Sequence, residues 1–127
     1  MFKYRTELKV ATNPQMGLGL FSKEFIKKGS IVWEYIEGVD VRISKEKFEE
    51  LNEAQKEYVY KYCWLEDDGC YHSSCDLTNF INHRYVPNLK VIDDIMVAIQ
   101  DIQPGEELFE NYQEFDLEFD DYKDELF

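Results

Sequence analysis

The spacing of hydrophobic and polar positions changes several times along this chain, and each change marks an element. "YRTELKVATN" (residues 4–13) begins with the alternation of a strand that buries one face. "NPQMGLG" follows with Asn13, Pro14, Gly17 and Gly19, which predicts a turn. Leu20, Phe21, Phe25 and Ile26 are apolar and lead to a second turn at Lys28–Gly29. "SIVWEYIEGVDVRIS" is β-branched and aromatic with Gly38 inside it, which predicts one or two strands with a bulge or corner.

The period then becomes helical. In "SKEKFEELNEAQKEYVYKY", Phe48, Leu51, Tyr58 and Tyr62 share helical spacing. Ser44 is placed to cap one helix, and Asn52 with Gln55 three residues on reads as a second cap. Two short helices, or one broken helix, are expected. "CWLEDDGCYHSS" returns to a strand, a turn at Asp68–Gly69 and a strand. "NLKVIDDIMVAIQDI" predicts two strands joined at Asp93–Asp94, and Pro104–Gly105 leads a tight turn. In the acidic tail, Phe115, Phe119, Tyr122 and Leu126 form one stripe of a C-terminal helix.

The length of 127 residues fits one domain able to bury a core without covalent staples. We expect a single unit over 1–127, with its core at about 5–115 and an acidic, aromatic helix or tail at 116–127. Nine Tyr, nine Phe and two Trp exceed what a core of this size needs, and some can wall a site that requires flat apolar surfaces. The net charge of −13 argues against direct contact with nucleic acid, whose phosphates call for a basic surface. It favours solubility and a cationic partner. Cys63, Cys70 and Cys75 are an odd set with no C-x-x-C, so neither a disulfide framework nor a four-thiolate zinc site is expected. That usage suits a reducing compartment. The N-terminal decapeptide is too polar for a signal peptide and no apolar run reaches membrane-spanning length, so an intracellular, cytoplasmic protein is expected. Delivery into a host-cell nucleus stays open.

Three stretches carry candidate chemistry. In "GLGLF", Gly17 and Gly19 permit close approach of backbone to a ligand, or simply a turn. In "NFINHRYVPN", His83 is one of only two histidines. It can serve as a metal ligand with His72, Cys70 and Cys75, although only Cys70 and Cys75 lie at a workable ligand spacing. It can also serve as the base of a cysteine nucleophile. "GEELFENYQEF" reads as a turn and a strand ending in an aromatic.

Taken in order, these stretches resemble the SET-domain lysine methyltransferases, and the resemblance spans about residues 5–115. Gly17 and Gly19 match the family's glycine motif. Asn82, His83, Pro87 and Asn88 match its Asn-His and Pro-Asn motif. Gly105, Glu106, Glu107, Leu108 and Tyr112 match its C-terminal motif. The short chain resembles the minimal SET proteins of bacteria and large viruses, without flanking zinc-binding cysteine clusters. The resemblance implies a mainly β fold with short helices: a β-clip of small sheets in which the last two motifs cross in a knot-like arrangement. It implies S-adenosylmethionine on one face, a lysine channel on the other, and no metal. Asn82 is then expected to hold the amino-acid end of the cofactor. The main chain of His83 is expected to meet the adenine, with Gly17, Leu18 and Gly19 bordering the ligand. Tyr112 is the expected catalytic residue, its hydroxyl beside the transferring methyl. Trp33, Tyr35, Phe115 and Phe119 are candidates both for the channel wall and for ordinary core. The implied partner is a basic, lysine-containing protein or peptide. The substrate's identity, the number of methyl groups added and the oligomeric state do not follow from the sequence.

The implied chemistry is demanding. The nucleophile is a neutral amine, and neutralising lysine (pKa about 10.4) near pH 7.4 costs about 4 kcal/mol. A desolvated aromatic channel lowers that pKa, and in-line alignment of the reactants supplies roughly 7–11 kcal/mol. Three positions depart from the family pattern: Arg84 replaces a serine, Asn111 an aspartate and Gln113 a glycine. Those departures open a second reading, a catalytically weak or inactive SET-like module that binds a basic partner. A metal protein built on His72, His83 and the cysteines is a third.

Overall fold

The computed structural model describes residues 1–116 and Phe119. Ten short strands fall into four small sheets. β1 (Thr6–Val10) pairs antiparallel with β2 (Leu18–Ser22), and the register sets Leu8 opposite Leu20. β3 (Ile31–Glu34), β8 (Leu89–Ile92) and β9 (Ile95–Ala98) form a second sheet in the order β3-β9-β8. β4 (Val41–Ile43), β5 (Trp64–Leu65) and β6 (Tyr71–Ser73) form a third, ordered β4-β6-β5. β7 (Asn82–His83) and β10 (Phe109–Glu110) pair in parallel as the fourth. The architecture is mainly β with few short helices, as expected.

Local chemistry fixes most boundaries. Asp93 at φ 53 closes the β8–β9 hairpin, and Gly69 at φ 79 turns the chain between β5 and β6. The bulge expected in "SIVWEY" lies between Ile31 and Trp33, and Gly38 at φ 83 makes the turn towards β4. Ser44 caps α1 (Lys45–Glu49), its hydroxyl accepting from Lys47 N at 3.1 Å. Asn52 and Gln55 form a reciprocal capping box at the start of α2 (Glu53–Tyr62).

Two expectations need correction. "GLGLF" is not wholly a turn: the chain turns at Pro14–Gly17, and Leu18–Ser22 is a strand held by β1. On α2 the buried residue is Val59 at 5% exposure, whereas Tyr58 is 62% exposed and stacks on Tyr62 at 4.7 Å. Val59 packs with Phe48 and Tyr71, while Tyr58 and Tyr62 are exposed and Tyr62 borders the aromatic cavity. A 3₁₀ turn over Tyr112–Glu114 ends at Phe115, and the expected C-terminal helix or tail at 116–127 lies, apart from Asp116 and Phe119, outside the described residues. Tyr122 and Leu126, the rest of that stripe, lie outside the described residues.

The main core is aliphatic: Leu20, Ile26, Val32, Ile81, Leu89, Ile102 and Leu108, with Trp33 and Met96. A smaller cluster of Phe48, Val59 and Tyr71 fastens the helices to β6. Burying each such aliphatic side chain is worth roughly 1.5–3 kcal/mol. Among the described residues no helix is long and apolar enough to cross a membrane.

Candidate active site

The site is assembled where the C-terminal stretch "GEELFENY" runs first along β2 and then along β7. Gly105 N donates to Ser22 O, Ser22 N to Glu106 O, and Leu108 N to Leu20 O at 2.8 Å. Asn88, buried, brackets the same stretch: its amide donates to Glu107 O at 2.9 Å and its carbonyl accepts from Phe109 N at 2.8 Å. The two motifs that stand about 20 residues apart in sequence are therefore joined by a side chain that mimics a strand.

One face of this crossing is built from backbone, amide side chains and one buried carboxylate, Glu107. The Asn82 amide donates to Leu18 O at 3.0 Å and ties the glycine strand to β7. Gly17 has φ 77, a conformation that favours glycine, and opens onto empty space. Gly19 serves a different need. A Cβ there would stand 2.9 Å from the Glu107 carboxylate, so the protein's own side chain fills the space that glycine leaves. Glu107 in turn accepts from Thr12 N at 2.7 Å through Oε1. Its buried Oε2 has no hydrogen-bond partner among the described residues, leaving acceptor capacity beside the glycine strand.

His83 is buried, and its Nδ1 accepts from Tyr112 N at 3.0 Å. An accepting Nδ1 places the ring proton on Nε2. In the parallel ladder Arg84 N bonds Glu110 O at 2.9 Å, which directs the His83 main-chain N–H and C=O towards the opposite edge of the strand. The imidazole is thus taken up in holding Tyr112. Arg84 does not disturb this ladder: its guanidinium lies over the Phe109 ring at 4.5 Å. Asn111 keeps the capping role open to an aspartate, accepting from Gln113 N at 3.1 Å.

The other face is an aromatic cavity of about 290 Å³. Trp33, Tyr35, Phe115 and Phe119 all line it, together with Tyr112 and Ile81. Trp33 also belongs to the core and donates from Nε1 to Ser74 Oγ at 3.2 Å. Tyr35 lies under the Arg42 guanidinium at 4.1 Å. Phe119 packs on His83 at 4.7 Å and on Tyr112 at 5.9 Å, and Phe115 packs edge-on against Trp64 at 5.8 Å. The Tyr112 hydroxyl donates to Ile81 O. Burial first, and then the carboxylates of Glu110 and Asp116, push its pKa far above the ordinary tyrosine value, so it stays a neutral donor.

Sequence reasoning missed several members of this cavity. Trp64 and Tyr60 are walls that the helical and strand patterns gave no reason to single out. Glu110 is the most consequential: it lies inside "GEELFENY" between the positions that match the motif, and it reaches the cavity as a buried carboxyl. Its position two before Tyr112, on the same side of an extended segment, was the available signal.

The proposed histidine–cysteine metal set does not come together. Among the described residues the one convergent trio of metal-type ligands is Glu66, Asp68 and His72, which excludes His83 and all three cysteines. His72 Nε2 stands 2.9 Å from Asp68 and 3.3 Å from Glu66, so the carboxylates already have a partner.

Comparison with known proteins accounts for this geometry. The SET-domain family matches residues 17–113. The chain belongs to the SET-domain family. Its fold is similar to that of ctPRC2 in the apo form with mutations in Ezh2 (TM-score 0.71, 26% identity, 90% of this chain and 16% of that one). It is also similar to autoinhibited ctPRC2 bound to S-adenosylmethionine (TM-score 0.63, 26% identity, 88% and 16%). A third similar structure is ctPRC2 in complex with H3K27me3 and H3K27M (TM-score 0.63, 25% identity, 86% and 14%). A related solved structure is named as the Chaetomium thermophilum complex. This SET-domain chain spans about one-sixth of the chains it resembles. A search of curated proteins gave no match.

The residues present fit the family's cofactor. Gly17 opens onto space, the Glu107 carboxylate has an uncommitted oxygen, and the His83 main chain is turned outward. That donor and acceptor set suits a zwitterionic, cationic ligand bound chiefly by backbone.

Proposed function

We propose that this chain is an S-adenosylmethionine-dependent protein-lysine N-methyltransferase. One observation carries the reading: Tyr112 is fixed on both sides, through its N–H to His83 and its hydroxyl to Ile81 O, at the junction of the glycine/Asn-His face and the aromatic cavity. Gly17, Leu18, Gly19, Asn82 and the His83 main chain would hold the cofactor, and Tyr112 would border it. When bound, S-adenosylmethionine supplies an electrophilic methyl group on a sulfonium.

The chain's residues do the remainder. Trp33, Tyr35, Trp64, Phe115 and Phe119 exclude water from an incoming amine, which lowers its pKa. The Ile81 carbonyl and the Tyr112 oxygen offer acceptors that orient the amine, and orientation is the largest contribution a metal-free transfer can use. Asp93, Asp94, Glu66 and Asp116 stand around the cavity, and an adjoining groove adds Asp67, Asp68 and Glu114. A field of that sign gathers a basic, lysine-containing protein. The presence of H3K27me3 in one similar structure supports a lysine-bearing substrate. Three cysteines, each a free thiol, suit a reducing, intracellular setting.

The test is calorimetric binding of S-adenosylmethionine followed by transfer of labelled methyl to lysine-rich proteins. Binding with transfer to lysine is expected. Neither binding nor transfer overturns the reading, and binding without transfer leaves the non-catalytic module in its place.

A further inference from the structure

The aromatic cavity holds a carboxyl that the proposed mechanism has not used. Glu110 is 7% exposed and lines the cavity; its carboxyl makes no hydrogen bond or ion pair among the described residues, and its oxygens are not among the fully enclosed unpartnered atoms, so they face the cavity. An isolated buried carboxylate is among the most unfavourable things a fold can keep. Native proteins keep such groups at sites that use them. Nothing structural is gained here: the main chain of Glu110, not its side chain, makes the β7–β10 ladder. A Gln, Leu or Val would serve the strand as well.

We propose that the Glu110 carboxylate receives the substrate amine, pairing with the lysine ammonium as it enters and then taking its proton before methyl transfer. This rests on the methyltransferase reading and extends it. The proton balance is complete. Glu110 carboxylate plus lysine ammonium gives Glu110 carboxylic acid plus neutral amine. The amine's lone pair forms the N–CH₃ bond as the S–CH₃ bond breaks, and its electron pair stays on sulfur. The Glu110 proton then passes to water. Tyr112 does not compete for that role, since it is held as a neutral donor to Ile81 O.

The surroundings support a carboxyl poised for this exchange. Burial, and secondarily the charge of Glu114, push the Glu110 pKa up to about 8. The other acids around the cavity (Glu66, Asp93, Asp94, Asp116) share its sign. Lys61 is the cationic side chain on the wall, and His72 the imidazole. Lys61 Nζ lies over the Tyr62 ring at 5.2 Å, and His72 is engaged by Asp68 and Glu66. Neither is paired with Glu110. The counter-charge is left for a ligand to bring.

The experiment uses the full chain and the variants Glu110→Gln and Glu110→Asp. The first readout needs no turnover: calorimetry with n-butylammonium, the isolated lysine side chain, at pH 7 in buffers of different ionisation heat. In the parent, arrival of a cation ionises a protonated Glu110, so about one proton is released per amine bound. Glu110→Gln releases none. S-adenosylhomocysteine binding, unchanged in both variants, certifies that they are folded. The second readout is methyl transfer. Glu110→Gln is slowed roughly 100-fold at pH 7, and the gap narrows as pH rises towards 10, where hydroxide takes over the proton. Glu110→Asp recovers part of the rate. Equal proton release in parent and Glu110→Gln overturns the proposal, as does an unchanged rate with an unchanged pH profile. Proton release that depends on Glu110 without any methyl transfer instead overturns the methyltransferase reading and keeps Glu110 as the amine's acceptor.

Discussion

β10 divides two regions made by opposite rules. Towards the glycine strand and β7, polar groups are met by neutral partners: Asn82 by Leu18 O, Asn88 by Glu107 O and Phe109 N, and His83 by Tyr112 N. Towards the aromatic cavity, a buried carboxyl is left without a partner and acids gather at the rim. The first region is satisfied apart from Glu107 Oε2, and its bracketed amides contribute stability. The second carries an electrostatic cost that folding does not recover. The two sides of one strand thus divide the proposed work, the braced side facing the cofactor and the side with the unpaired Glu110 carboxyl facing the substrate.

The sharpest way to break this contrast is to remove a bracket from the satisfied side. Asn88→Ala leaves Glu107 O and Phe109 N without their buried partner and should cost about 2–4 kcal/mol, read as a lower midpoint in urea. A loss below about 0.5 kcal/mol would mean that the crossing is held elsewhere. Next is Tyr112→Phe. The ring packing survives and the hydroxyl bond to Ile81 O is lost, so stability should fall by only about 1 kcal/mol while methyl transfer falls by about two orders of magnitude. Equal loss of both would place Tyr112 with the structural side.

Glu110 provides a pH test of the same contrast. Its carboxyl holds a proton in the folded state up to about pH 8, against an ordinary value of 4.5. A raised carboxyl pKa means that the folded state binds more protons, so this group makes stability fall as pH climbs through that window. Thermal unfolding of the parent should weaken from pH 4.5 to 8 relative to Glu110→Gln. Parallel curves would show that Glu110 is solvated after all. At the rim, Asp94→Asn should weaken capture of a basic peptide by severalfold at low salt and hardly at all at high salt, because exposed charges are screened. Asn52→Ala, remote from both regions, should cost about 1 kcal/mol through the lost cap and leave transfer untouched.

Local signals in the chain were enough for the elements governed by neighbours in sequence. Ser44 and Asn52 cap helices where their side chains reach N–H groups three residues away. The turns at Asp93–Asp94 and Asp68–Gly69 lie where positive φ was readable from residue type. The order of the three stretches, through the resemblance to the SET family, put Asn82, His83 and Tyr112 at one expected site, although each stretch alone also suited a turn or a strand. What was not legible depended on distant partners. Gly19 looked like a residue of a turn, yet it is a strand residue kept small for Glu107, 88 positions on in the chain. Tyr58 and Val59 both suited a helix face, and only contact with Phe48 and Tyr71 decided which was buried.

The sequence by itself determined the β-rich element order, the helix caps and the acidity, because these follow from side-chain type and short-range geometry, and its motif order carried the resemblance to the SET family. Tertiary structure alone decided that the His83 ring is a brace for Tyr112, and that four scattered aromatics share one cavity. It also decided that Glu110 enters that cavity unpartnered. Such facts depend on burial and on the absence of nearby donors, and both are set by segments far apart along the chain.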